Sequence, residues 1–187
     1  MVSREIRKSN PYPWIWFFAF IACVPSANWL IANVGSECVP NGPCLIPVWP
    51  GVMAPSGVLL AGLSFALRDL VQEFLGIKWA AVAVMIGGVV AALITSPELA
   101  IASVVAFLMS ELLDMLTFTI MRIRGQNLVY ASVGSSVLGL VLDSVLFVYI
   151  AFGTTDYILG QSIGKAWMVA LTIPFLLTIR RVNSPAR

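Results

Sequence analysis

Long apolar runs dominate this sequence and set the class of protein before any motif is considered. The runs occupy residues 14–34, 55–76, 77–97, 98–121, 128–153 and 160–179. A helix needs about 20 apolar residues to cross the hydrocarbon core of a bilayer, and each run is about that long. Hydrophobic residues make up 59% of the chain and charged residues 11%, against about 25% charged residues in a soluble domain. The sequence therefore predicts an all-α integral membrane protein with six transmembrane helices, forming a single domain over residues 1–187.

The segment between the first two runs, residues 35–55, differs in kind from the rest of the chain. It contains Pro40, Pro43, Pro47, Pro50 and Pro55. Because proline removes a backbone donor and disrupts a helix, this segment is predicted to be an ordered loop or lid. Cys38 and Cys44 both lie in it. They are a disulfide candidate, with two free thiols as the alternative.

The basic residues predict the orientation of the chain in the membrane. Nine of the eleven lysines and arginines fall on one side of the predicted spans. They are Arg4, Arg7, Lys8, Lys78, Arg122, Arg124, Arg180, Arg181 and Arg187. The opposite loops carry Glu37, Glu98 and Asp156, with Lys165 near them. By the positive-inside rule, both termini are predicted to be cytoplasmic and the long Pro-rich first loop extracytoplasmic.

Ionisable residues inside the apolar runs are the main functional signal. They are Arg68, Asp69, Glu73, Glu111, Asp114 and Asp143. Each charge costs roughly 3 kcal/mol to insert, so six independent charges facing lipid would cost about 15 to 20 kcal/mol. The chain could not sustain that cost. These side chains are therefore expected to face one another or an aqueous cavity, except Glu73, which is expected to be solvated near the cytoplasmic interface.

Helical spacing places the acids on stripes that also carry aromatic and small residues. Phe65 precedes Asp69 by four residues in span two, and Phe107 precedes Glu111 by four residues in span four. The candidate substrate-binding residues are Glu111, Asp114, Asp143, Asp69, Arg68, Phe65, Gln72, Phe107, Phe118, Phe147 and Asn127. Three readings stay open: Asp69 could pair structurally with Arg68, Asn127 could be a turn or cap residue, and Gly62 and Gly139 could serve helix packing.

The charge balance of this core restricts the substrate. One arginine against five carboxylates leaves an excess of about four negative charges if all ionise, which disfavours an anionic substrate. The core suits a cation, a proton, or a neutral molecule rich in N–H donors. The chain has no histidine, which removes His-based zinc sites and Ser-His-Asp triads. No metal, cofactor, nucleic-acid partner or enzymatic activity is expected, and no paired YD and GxGD pattern of an intramembrane aspartyl enzyme is present.

Three stretches resemble one transporter family. They are SGVLLAGLSFALRDLVQEFLG at Ser56 to Gly76, SELLDMLTFTIMRIRGQN at Ser110 to Asn127, and SVGSSVLGLVLDSVLFVYIAFG at Ser132 to Gly153. Together they are similar to the motifs of the queuosine-precursor transporter family, also labelled the vitamin uptake transporter family. The resemblance implies a six-helix, multi-pass inner-membrane protein that imports 7-cyano-7-deazaguanine or 7-aminomethyl-7-deazaguanine. The chain departs from the family in its short cytoplasmic ends and Pro-rich first loop.

The residues are compatible with that class of substrate. A carboxylate such as Glu111 or Asp143 can accept the ring N–H and exocyclic amine of a deazaguanine as a bidentate pair. Asp114 could accept an aminomethyl group, and the phenylalanines could stack on the flat ring. The alternative is a vitamin-binding membrane subunit that works with a separate energising ATPase, since the chain has no ATP-binding motif. The sequence leaves proton coupling and homodimer formation open.

Overall fold

The computed structural model describes residues 12–40, 42–94 and 97–182. Six long helices make up most of these ranges: α1 Trp14–Asn33, α2 Val58–Leu75, α3 Ile77–Ile94, α4 Pro97–Ile123, α5 Leu128–Phe152 and α6 Ile158–Val182. Arg4, Arg7, Lys8 and Arg187, used above for the orientation, lie outside the described residues. The membrane-length elements are all helices, as predicted.

Five of the six helices are long and apolar enough to cross a membrane: α1, α3, α4, α5 and α6. The exception, α2, carries Arg68, Asp69 and Glu73 within 18 residues. Every residue of α2 from Ser64 to Leu75 is buried. Since this part of α2 faces protein, its composition does not have to satisfy lipid. The structure thus shows five candidate spans and one buried, charged helix of similar length.

Glycines make the two short connections between consecutive helices. Gly76 follows α2 with a φ of 95°, and Ile77 begins α3 directly after it. Gly125 has a φ of 81° between α4 and α5. Both values lie in the left-handed region that favours glycine. The boundary between the predicted runs 55–76 and 77–97 therefore coincides with the turn at Gly76.

The Pro-rich segment is not a plain loop, and the all-α prediction missed its sheet. Three antiparallel strands form there in the order β1 Glu37–Cys38, β2 Cys44–Trp49 and β3 Val52–Pro55. Pro47 lies in the central strand where the register between β2 and β3 is irregular. Proline removes a ladder donor, and irregular positions of a sheet are where that loss is tolerated. The prolines exclude a helix here, but they do not exclude short strands.

The sheet is fastened internally and to the helix bundle. Cys38 and Cys44 form a disulfide that joins β1 to β2. The indole Nε1 of Trp167 in α6 donates a hydrogen bond to the carbonyl of Val48 at 3.0 Å. The rings of Trp49 and Trp167 stack with centroids 6.2 Å apart. The sheet is therefore tied to the N-terminal half of α6.

Two glycines allow the helices that carry the polar residues to approach closely. A Cβ at Gly62 of α2 would lie 2.7 Å from the Lys165 backbone of α6. A Cβ at Gly139 of α5 would lie 2.9 Å from the Phe65 ring and 3.0 Å from Asp114 Cβ. Any larger residue would push these helices apart. The packing role considered for both glycines matches these contacts.

Candidate functional site

A cavity of about 100 Å³ lies among the helices, in the half of the bundle that carries the sheet. Its lining combines two carboxylates, several neutral polar groups and three phenylalanine rings. The polar lining residues are Asn28, Ser64, Ser103, Ser110, Glu111, Asp143 and Gln161, and the rings are Phe65, Phe107 and Phe147. The volume is small compared with the roughly 300 to 1,000 Å³ of sites for drug-sized ligands. The volume and the mixed lining therefore suit a small molecule with both polar and apolar surfaces.

Glu111 forms the boundary between this cavity and a buried ion cluster. Its Oε2 accepts a hydrogen bond from Arg68 Nε at 3.3 Å, and its Oε1 lies 3.2 Å from Ser64 Oγ. The side chain is 1% exposed. An ionised carboxylate offers about four lone-pair sites, so these two contacts leave acceptor capacity for a ligand.

The ion cluster is centred on Arg68, which is fully buried. Arg68 Nη2 lies 2.9 Å from Asp69 Oδ1 and 2.5 Å from Asp114 Oδ2. Both contacts are ion pairs between fully buried side chains. The guanidinium Cζ also lies 5.8 Å from the centre of the Phe118 ring. One arginine thus serves three carboxylates, counting Glu111, away from water.

Neutral polar groups extend the cluster along α2, α4 and α5. Arg68 Nη1 donates to Gln72 Oε1 at 2.9 Å, and Gln72 Nε2 donates to Thr119 Oγ1 at 2.6 Å. Ser132 lies near Asp69, and Ser135 lies near Asp114. Gln72 is therefore engaged inside the protein and does not line the cavity.

Asp143, the second carboxylate of the cavity, has a buried cation beside it. Lys165 Nζ of α6 donates to Asp143 Oδ2 at 2.5 Å and to Ser144 Oγ at 3.1 Å. Asp143 Oδ1 lies 3.2 Å from Ser110 Oγ. The Lys165 side chain is 1% exposed, whereas that of Asp143 is 16% exposed. The sequence analysis did not count Lys165 among the ionisable residues inside the spans, but it lies seven residues into α6 and is buried.

A third ion pair closes the end of the bundle opposite the sheet. Arg122 Nε donates to Glu73 Oε2 at 3.0 Å, and Arg122 Nη2 donates to Glu73 Oε1 at 2.5 Å. This fork geometry is the strong form of an arginine–carboxylate pair. The Glu73 side chain is 4% exposed. The expectation that Glu73 is solvated was therefore wrong, because its partner comes from the last turn of α4.

These contacts change the charge balance inferred from the sequence. Arg68, Lys165 and Arg122 face the five carboxylates Asp69, Glu73, Glu111, Asp114 and Asp143. If all ionise, three positive charges against five negative ones leave an excess of two, where the sequence suggested about four. Among the described residues, no group of His, Cys, Asp and Glu is arranged to hold a metal ion.

The structure divides the predicted site residues into two sets. The cavity brings together Glu111, Asp143, Phe65, Phe107 and Phe147. A second set lies outside its lining: Arg68, Asp69, Gln72, Asp114, Phe118 and Asn127. Asn127 caps α5, since its side chain accepts a hydrogen bond from the Tyr130 backbone N–H at 3.1 Å. The cap reading of Asn127 is the one that its geometry matches.

Several lining residues were missed by the sequence analysis. Ser64 and Ser110 precede the charged stripes within α2 and α4, and Gln161 lies one turn before Lys165 in α6. The helical period could have found the two serines, because Ser64 lies four residues before Arg68 and Ser110 lies four residues before Asp114. Nothing in the sequence of α1 indicated Asn28, whose Nδ2 donates a hydrogen bond to the backbone carbonyl of Val24 in the same helix.

Residues 91–179 match the model of a protein family described as "Putative vitamin uptake transporter". These residues, just under half of the chain, are similar to the vitamin uptake transporter family. The match covers all of α4 and α5 and most of α6, and it includes Glu111, Asp114, Asp143 and Lys165. The family resemblance found in the sequence is thereby confirmed, and it supports a transporter role in a membrane. No curated protein and no solved structure shows a significant match to the chain.

Proposed function

We propose that this chain is a member of the vitamin uptake transporter family and imports a small purine-like base of the queuosine-precursor class across the inner membrane. The observation that carries the proposal is the cavity in which Glu111 and Asp143 meet three phenylalanine rings. A flat base with adjacent N–H donors needs an acceptor at its edge and an apolar surface against its face. This cavity offers both within a small volume.

Each part of the base has a counterpart in the lining. The free lone pairs of Glu111 suit the ring N–H and exocyclic amine, and the amide of Gln161 suits a carbonyl or ring nitrogen. Phe65, Phe107 and Phe147 are the rings available for contact with the face of the base. Low dielectric around Glu111 would strengthen a bidentate hydrogen bond.

The proposal includes a direction of transport. We take α2 as the sixth crossing, both termini as cytoplasmic and the sheet as extracytoplasmic, as the basic residues predict. The cavity would then lie in the outer half of the protein, where it can receive a base from outside. The Arg68 cluster and the Glu73–Arg122 pair would lie between the cavity and the cytoplasm. Release of the base inward requires these polar contacts to rearrange.

Uptake by cells that cannot synthesise deazaguanines tests the proposal. The chain is expressed as the only added protein, and labelled 7-cyano-7-deazaguanine and 7-aminomethyl-7-deazaguanine are supplied separately. Accumulation of either base is expected without an added ATPase. No accumulation of either base by correctly inserted protein would contradict the proposed function. Loss of accumulation in uncoupler-treated cells would assign the energy source to the proton gradient.

The family description makes vitamin uptake the second candidate. In that case the chain would bind a vitamin and depend on a separate ATPase subunit. The cavity of about 100 Å³ favours the smaller cargo. Vitamin accumulation that appears only when an ATPase is co-expressed, together with no deazaguanine uptake, would establish this alternative.

A further inference from the structure

Both carboxylates that line the cavity already have a cationic partner. Glu111 is paired with Arg68, and Asp143 is paired with Lys165. A positively charged cargo would find no unpaired carboxylate in the lining. Its ammonium group would have to share Asp143 with Lys165, or Glu111 with Arg68. Two cations around one carboxylate repel each other, and like-charge juxtaposition is a common source of specificity.

We infer that the cavity selects the neutral form of its cargo, and that Lys165 is the residue that determines this specificity. The inference rests on the proposed function and narrows its substrate class. A neutral deazaguanine is favoured over one that carries an ammonium on its substituent. Lys165 acts through Asp143, which it neutralises from behind the cavity wall.

The geometry explains why Lys165 cannot simply move aside. Its side chain is 1% exposed, and its ammonium also donates to Ser144 Oγ. The Lys165 backbone is packed against Gly62 of α2, which holds this turn of α6 close to the site. Withdrawing the ammonium would leave it buried without a counter-ion, which is strongly unfavourable. The Asp143 charge therefore stays compensated when cargo enters.

Arg68 cannot play the same selective role by itself. Its guanidinium is shared by three carboxylates, so it only partly offsets the charge of Glu111. Lys165 has a single carboxylate partner among the described residues. Removing the Lys165 charge therefore makes the net charge beside the cavity more negative by one unit, and the uncompensated carboxylate is that of Asp143.

The test compares initial uptake rates of 7-cyano-7-deazaguanine, which is neutral, and 7-aminomethyl-7-deazaguanine, which is a cation. The natural chain is expected to take up the neutral base about tenfold faster at equal concentration, the ratio that corresponds to one unfavourable charge contact. In Lys165→Met the freed Asp143 should accept the ammonium, and the ratio should fall about tenfold. Lys165→Arg should keep the preference, and Lys78→Met provides the same substitution at an exposed residue.

A double variant separates charge from packing. Lys165→Met combined with Asp143→Asn removes both charges, so the preference for the neutral base should return even if total uptake falls. Uptake of both bases at equal rates by the natural chain would overturn the inference while leaving the proposed function intact. An unchanged ratio in correctly inserted Lys165→Met would overturn it as well. Uptake of neither base would contradict the proposed function itself.

Discussion

The two halves of this bundle use charged residues in opposite ways. In the half that carries the sheet, Glu111 and Asp143 line a cavity beside serines and phenylalanines. In the other half, Asp69, Asp114 and Glu73 are held by arginines inside packed protein. The acids look equivalent in the sequence, but only those next to unfilled space can contact a ligand. One half therefore presents carboxylates to a cavity, whereas the other half uses its carboxylates in ion pairs inside the bundle.

Substitution of Arg68 should have the largest effect among the residues in the half of the bundle opposite the sheet. Arg68→Met leaves three buried carboxylates without their cation, and breaking a buried ion pair costs about 3 to 5 kcal/mol. Much of the protein should fail to fold, and no uptake should remain. Detergent-solubilised protein measured by fluorescence-detected size exclusion checks this outcome. Arg124→Met, at an exposed position, is the matched control. A folded, active Arg68→Met would show that the Arg68 ion cluster is not needed for the stability of the fold.

Glu111 should be the most sensitive residue of the cavity half. Glu111→Gln removes the bidentate acceptor, and a hydrogen bond to a charged group contributes about 1.5 to 3 kcal/mol. Uptake should therefore fall at least about tenfold. Arg68 keeps Asp69 and Asp114, so the protein should stay folded.

The uptake assay for Glu111→Gln includes Glu37→Gln, an exposed acid in β1, as its control. Asp143→Asn should likewise abolish uptake, because it leaves Lys165 buried without its carboxylate. Normal uptake by both cavity variants would refute the acidic site. Loss of uptake in Glu37→Gln would mean that the assay reports general damage.

Loss of the Glu73–Arg122 pair should have a smaller effect on stability and uptake, because Arg122 is 20% exposed and solvent screens the interaction. Glu73→Gln should lower the free energy of unfolding by about 1 kcal/mol and change uptake only a few-fold. Exchanging the two charges, Glu73→Arg with Arg122→Glu, should recover most of the free energy of unfolding that Glu73→Gln loses. Thermal melting in detergent measures the stability of both variants. If the exchange restores nothing, the pair is not the contact that closes this end.

Asn127 should give the smallest effect on transport. Asn127→Ala removes the N-cap of α5, which typically costs about 1 kcal/mol of stability. Uptake per folded molecule should be unchanged, because the side chain is outside the cavity lining. Asn127→Ser should recover the stability, since serine also caps helices. A large drop in uptake without a drop in melting temperature would return Asn127 to the binding residues.

The sequence predicted the helices of this fold better than the contacts between them. Hydropathy located the six long helices of the described residues, and the cost of burying charge singled out the acids that the structure places in ion pairs. Helical spacing placed Glu111 and Asp114 on one stripe, but it could not show that Arg68 holds Asp114 away from the cavity. Which acid meets which cation depends on how separate helices pack. That packing is set by close approaches at residues such as Gly62 and Gly139.

Lys165 shows most clearly where the sequence reading failed. It lies near the start of an apolar run, where a lysine usually reaches back to the membrane surface. In the structure it turns inward instead, because Asp143 of the neighbouring helix offers a buried counter-ion. The sequence analysis missed the sheet for another reason. Prolines argue against a helix, but they do not predict strand pairing, which here is stabilised by a disulfide and two tryptophans.

The disulfide between Cys38 and Cys44 also makes the orientation of the protein chemically readable. A disulfide persists on the oxidising side of a membrane and is reduced in the cytoplasm. In intact cells, an impermeant maleimide should label nothing until an external reductant is added, and should then label Cys38, which is exposed, whereas Cys44 is buried. Cys23 is buried in α1 and should stay unlabelled. The natural chain thus carries its own topology marker, without an introduced tag or fusion.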